Sequence, residues 1–107
     1  MMDSSVRVHV NDRIGMSFIV RAQRSDFPQS TAEELFSKVR NAAGPTAGAR
    51  GYAEAAHDVT DIKDPVNSDK VLDVWHEVRY SKQNVELPEL AEEVRWAMQM
   101  EKFISKV

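Results

Sequence analysis

A small α+β domain is what this sequence predicts: an N-terminal β-hairpin, with room for a third strand, packed on three α-helices. Three observations carry that expectation. Apolar and polar residues alternate over 6–10 and again over 16–22, the period of a half-buried strand. Further along, apolar residues recur every three or four positions, as on one face of a helix. The 107 residues are 42% hydrophobic and 29% charged with no cysteine, which fits one domain, 1–107, folding on an apolar core rather than on disulfides or thiolate metal sites.

In "VRVHV", Val6, Val8 and Val10 share one face and Arg7 and His9 the other. "NDRIG" supplies turn residues, and "MSFIVRA" returns with Met16, Phe18, Val20 and Ala22 on one face, completing a hairpin whose apolar side needs a cover. Phe27–Pro28 is extended. Ser30 or Thr31, followed three residues later by Glu33 or Glu34, makes a capping box. Ala32, Leu35, Phe36, Val39 and Ala43 then form one stripe, and Gly44–Pro45 is expected to stop this first helix. Residues 46–64 read as a loop holding a short helix or a strand at "HDVTDI". A second helix is expected over 66–82, on the stripe Val71, Val74, Trp75 and Val78. The third is expected over 88–106, with Pro88 and Glu89, Glu92 and Glu93 near its start and Lys102 and Lys106 near its end. The expected core is Val8, Val10, Met16, Phe18, Val20, Leu35, Phe36, Val39, Val71, Val74, Trp75, Val78, Leu90, Val94 and Met98.

The net charge of −3 is unevenly spread. Residues 1–51 hold seven Lys/Arg and five acids, residues 52–107 seven and twelve. An acidic second half disfavours a broad nucleic-acid surface, which needs cations to neutralise phosphates. No apolar run approaches the length that spans a bilayer, and residues 1–20 lack the apolar core and cleavage site of a signal peptide. The expectation is a cytoplasmic chain with no membrane partner.

No chemical motif is complete. "HEVRY" begins like a zinc-binding helix but carries Tyr80 where the second imidazole would stand. "HDVTDIKD" offers His57, Asp58, Asp61 and Asp64 without the alternating oxygens and glycine of a calcium loop; solvated loop acids explain it better. "GPTAGARG" follows a helix and lacks the Lys-Ser/Thr of a phosphate loop. No nucleophile elbow is present. No catalytic, metal or cofactor residue is therefore assigned.

The last stretch, "RWAMQMEKFISKV", poses a problem of its own. Leu87, Leu90, Ala91, Val94, Ala97 and Met98 fall on one side of a helical wheel; Trp96, Met100, Phe103 and Val107 fall roughly opposite. Either both stripes are internal, or the first completes the core while Trp96, Met100, Phe103 and Val107 dock on another chain, being of types enriched at interface centres. The second alternative makes the protein a non-catalytic interaction protein: a homodimer, an adaptor or an inhibitor of a larger assembly. The competing expectations are a small enzyme or ligand binder with a pocket between hairpin and helices, and a helix-turn-helix-like nucleic-acid binder. The latter is disfavoured by the four acids against three bases on the would-be recognition helix.

Overall fold

The two alternating runs pair as their pattern demands. In the computed structural model, which describes residues 6–11 and 15–100, β1 (Val6–Asn11) lies antiparallel to β2 (Gly15–Gln23), with Val8 opposite Phe18. A short 3-10 turn at Arg24–Asp26 leads towards α1 (Ala32–Ala49). Thr31 caps this helix: its side chain accepts a hydrogen bond from the Glu34 amide at 3.2 Å, satisfying one of the free donors of the first turn.

Beyond α1 the expected architecture is overturned. β3 (Ala53–Lys63) takes up the strand alternative left open at 57–62 and extends it, and β4 (Val71–Gln83) stands where the second helix was expected. Among the described residues there is one four-stranded antiparallel sheet, in the order β1-β2-β4-β3, and two α-helices, the second being α2 (Leu87–Met98). The chain is α+β, but not a hairpin on three helices. β4 runs through the centre of the sheet, paired with β2 on one side and β3 on the other. This also removes the first member of any helix-turn-helix pair.

The physical reason lies in two periods written over one another. Val71, Val74, Trp75 and Val78 fit a helical stripe. Leu72, Val74, Val78 and Tyr80 equally fit a period of two, alternating with Asp73, Glu77 and Arg79, and the run is rich in β-branched and aromatic residues that favour strands. Pairing with β2 on one side and β3 on the other decides between them.

α1 also continues past Gly44–Pro45, with Pro45 inside it. Pro45 is on the solvent side, so its ring meets no neighbouring element. The inward stripe Leu35, Val39, Ala43 and Ala47 carries on unbroken. The helix ends instead at Arg50, and Gly51 follows with φ +95°.

Both helices cover the same sheet face. Met16, Phe18, Val20 and Ala22 of β2 point to it, as do their β4 neighbours His76, Val78 and Tyr80. Phe18 is the centre of an aromatic cluster: Tyr52 edge-on at 5.1 Å, Tyr80 stacked at 5.5 Å, Trp96 edge-on at 5.6 Å. Of the expected core, Val71 and Met98 are exposed instead. Trp75 is buried on the opposite sheet face, beneath the Arg21 guanidinium 4.2 Å from its ring centre. Asp73 ties the 3-10 turn to β4 by accepting hydrogen bonds from the Ser25 amide and hydroxyl and from Gln23.

The molecule measures 44 × 29 × 24 Å. The β3–β4 hairpin runs on past the last β2–β4 pair, Gln23 with Trp75, as far as Lys63 with Val71.

Candidate functional site

The densest polar constellation sits where the connection from α1 to β3 meets β4 and α2. The Glu93 carboxylate on α2 is buried, its side chain 7% exposed. Arg50, at the end of α1, donates to it from Nε at 3.1 Å, with its Nη2 in ion-pair contact at 3.0 Å and donating to the neighbouring Glu92 at 3.2 Å. The Tyr52 hydroxyl donates to it at 3.0 Å, and the Lys82 ammonium of β4 stands 3.8 Å away. Burial alone would raise the pKa of Glu93, but the hydrogen bonds from Arg50 and Tyr52 and the charge of Lys82 outweigh it and hold the carboxyl below its usual range. Burial, then the hydrogen bond to Glu93, pushes the Tyr52 phenol upward. Every member is partnered, and the phenol is locked in its neutral form. Chemically this is a clasp holding α2 to the sheet, not a poised acid–base pair.

The apolar residues singled out at the C-terminus fall in three places. Met100 is 1% exposed, within the chain's own core. Trp96 is half-buried, stacked on Tyr52 at 5.1 Å and beneath the Arg50 guanidinium at 5.2 Å. Phe103 and Val107 lie outside the described residues. The inward side of α2 is therefore Leu90, Glu93, Val94, Trp96 and Ala97, whereas Leu87 and Met98 face outward. A buried glutamate cannot be read from a helical wheel, and Glu93 lies on the inward side together with Trp96.

The metal-like motifs disperse. His76 and Tyr80 are four residues apart on a strand, roughly 13 Å, and cannot share an ion. His57 and Asp61 lie on one face of β3 and Asp58 on the other. Among the described residues no three acids or imidazoles come together around a point.

Two shallow grooves open at the β1–β2 side. One, of about 160 Å³, is lined by His9, Asn11, Gly15, Met16, Ser17, Ser81, Lys82 and Gln83. The other, of about 390 Å³, lies on the uncovered sheet face among Arg7, Val8, His9, Ser17, Ile19 and Arg79. His9 and Ser17 are direct cross-strand neighbours, yet no hydrogen bond joins their side chains. The space between hairpin and helices, where a ligand pocket was the alternative expectation, is filled by the Phe18 cluster.

Sequence reasoning missed the surface that stands out most. The large exposed apolar side chains are Val59, Val66, Val71, Leu72, Leu87 and Met98. The first four lie on the β3–β4 hairpin and its connecting loop, and Val66 at the tip is 94% exposed. With 66–82 read as a helix, Val71 belonged to a core; as a strand, it projects on an arm.

Among the described residues two buried polar side chains lack a hydrogen-bond partner, the Tyr80 hydroxyl and the His76 ring, and of these His76 titrates in the neutral range. It is 1% exposed, its ring nitrogens make no hydrogen bond, and it lies edge-on to Phe36 at 5.1 Å. Burial, and secondarily the positive charge of Arg24, lowers its pKa. Its unfolded form therefore binds a proton more readily than its folded form, and stability is complete above the usual histidine value and declines below it. The denaturation midpoint is expected to fall between about pH 7 and about pH 5 in wild type and to stay level in His76→Leu. Equal slopes in both proteins would show that His76 is not the group responsible.

No protein-family model matches this chain, and neither does any curated protein or solved structure. Among the described residues, no helix is long and apolar enough to cross a membrane.

Proposed function

We propose that this is a non-catalytic interaction protein whose working surface is the projecting β3–β4 arm. The observation that carries this reading is the concentration of exposed Val59, Val66, Val71 and Leu72 on one hairpin and its connecting loop. Solvent-exposed apolar side chains are ordinary singly, but a group of them on one projection marks a contact surface. The body of the domain supports the same reading. Its ionisable clasp is satisfied, and among the described residues its grooves hold no nucleophile bonded to a base.

A photo-cross-linking residue placed at 66 or 72 is the test. In the native host, both positions are expected to give adducts of higher mass, while the same residue at Glu89, on exposed helix surface, gives none. Adducts from neither arm position, or equally from Glu89, would contradict an arm-based function.

A further inference from the structure

We propose that the β3 edge is a homodimer interface: two copies pair antiparallel about a two-fold axis through Val59, continuing the sheet from one chain into the other. This rests on the interaction reading above and names its partner as a second copy of the chain.

β3 is an edge strand with β4 on one side only, so one side of its backbone is open. Edges of this kind are templates for pairing unless they are blunted. β3 carries two irregularities, between Glu54 and Ala56 and between Ile62 and Lys63. They limit pairing at its ends but bracket a regular run of seven residues, Ala56–Ile62. The midpoint of that run is Val59. Its side chain is 53% exposed.

A two-fold axis perpendicular to the sheet sets one residue against its own twin, with the rest following in mirror order and faces matched. With Val59 on the axis, His57 stands opposite the partner's Asp61, twice by symmetry. Asp58 meets the partner's Thr60, and Ala56 meets the partner's Ile62. No like charges face each other, and two Val59 side chains touch at the centre, the kind of cross-strand pair that stabilises sheets. Neighbouring registers do worse. An axis at Asp58 opposes two carboxylates. An axis at Thr60 opposes His57 with Lys63 and runs into the second irregularity; one at His57 runs into the first. Asp58 and Asp61, which have no ion pair or hydrogen bond among the described residues, act as register marks: they oppose wrong pairings and tolerate the right one.

The contact is at the small end of specific interfaces, so the dimer dissociates on dilution. The chain has no cysteine, which makes a single introduced thiol an unambiguous reporter. Under mild oxidation Val59→Cys is expected to form a disulfide-linked dimer. Asp58→Cys and Thr60→Cys, whose twins lie off the axis, are expected to cross-link at least tenfold more slowly. Light scattering on the unmodified chain should give about twice 12.1 kDa at high concentration. Val59→Asp should give a monomer with an unchanged circular-dichroism spectrum. A wild-type monomer at up to about 1 mM, or equal cross-linking at 58, 59 and 60, overturns the proposal. If residues 66 and 72 still cross-link to other polypeptides while the chain is monomeric, self-pairing fails but the interaction reading survives. If they cross-link to nothing and the chain is monomeric, both fail.

Discussion

Gly15→Ala is expected to cost about 3 kcal/mol or more, a large share of the roughly 5–15 kcal/mol that holds a domain of this kind together. Gly15 opens β2 with φ +140°, a conformation that costs an L side chain about 1–3 kcal/mol by itself. Space makes matters worse. A Cβ added there would lie 2.1 Å from the Lys82 carbonyl oxygen and 2.8 Å from the Gln83 Cα. Both are backbone atoms of the central strand and cannot swing aside. Relief requires β2 and β4 to separate at the end where Gly15 also pairs with Asn11 of β1. The melting temperature should drop by roughly 12 °C or more, at about 4–8 °C per kcal/mol for a domain near this size. Gly48→Ala is the control: a Cβ there meets nothing within 4 Å, the position is helical, and the change should be neutral or stabilising by up to about 1 kcal/mol. Similar melting temperatures for the two variants would contradict the close approach of β2 and β4.

Removing Glu93 is the second large effect. Glu93→Leu takes away the acceptor for Tyr52 and the counter-charge for Arg50 and Lys82. Arg50 and Lys82 are partly exposed, 31% and 26%, so they can turn to water; the Tyr52 hydroxyl cannot. Breaking a buried charge pair from one side typically costs about 3–5 kcal/mol, and the escape of the two cations puts this case near the lower end. Glu93→Gln keeps an acceptor for Tyr52 and should lose less. Acid titration separates the roles. Because the folded carboxyl is held below its usual value, its contribution is complete above about pH 4.5 and is lost as pH falls through the lowered value. Wild type should therefore lose more stability than Glu93→Gln in that acidic window, which lies below the one governed by His76. Parallel curves for the two proteins would mean that the carboxylate is not held as described.

The hairpin, the cap at Thr31 and the inward stripe of α1 were legible because local signals and tertiary contacts agree there. Val6, Met16, Phe18 and Val20 show period two and are buried in period two. β4 was not legible as a strand because its apolar residues satisfy two periods at once, and the deciding partners, β2 and β3, are distant in sequence. β3 is weaker still. α1 reaches only its first half, where Phe36 lies edge-on to His57 and Arg40 pairs with Glu54; only Ala56 and Ile62 in it are even half-buried, so its alternation is nearly erased. α2 was recognised as a helix but turned the wrong way: the wheel ranks Glu93 with solvent, whereas Arg50, Tyr52 and Lys82 make it an inward residue. The clasp itself could not be anticipated, since Arg50 and Tyr52 of the α1–β3 connection meet Lys82 of β4 and Glu93 of α2, far apart in sequence. With the second helix replaced by β4, Trp75 and Val78 stay buried while Val71, which looked like core, is exposed on the hairpin, and the surface of interest moved with it.

The most direct measurement of whether the protein works through the β3 edge is amide hydrogen exchange at two protein concentrations. An unpaired edge leaves alternate amides of Ala56–Ile62 open to water. At high concentration those amides should slow while the rest of the sheet exchanges unchanged, and Val59→Asp should abolish the difference. Exchange over Ala56–Ile62 that is independent of concentration, or protection appearing on Leu87–Met98 instead, would contradict the assignment of the contact to this strand.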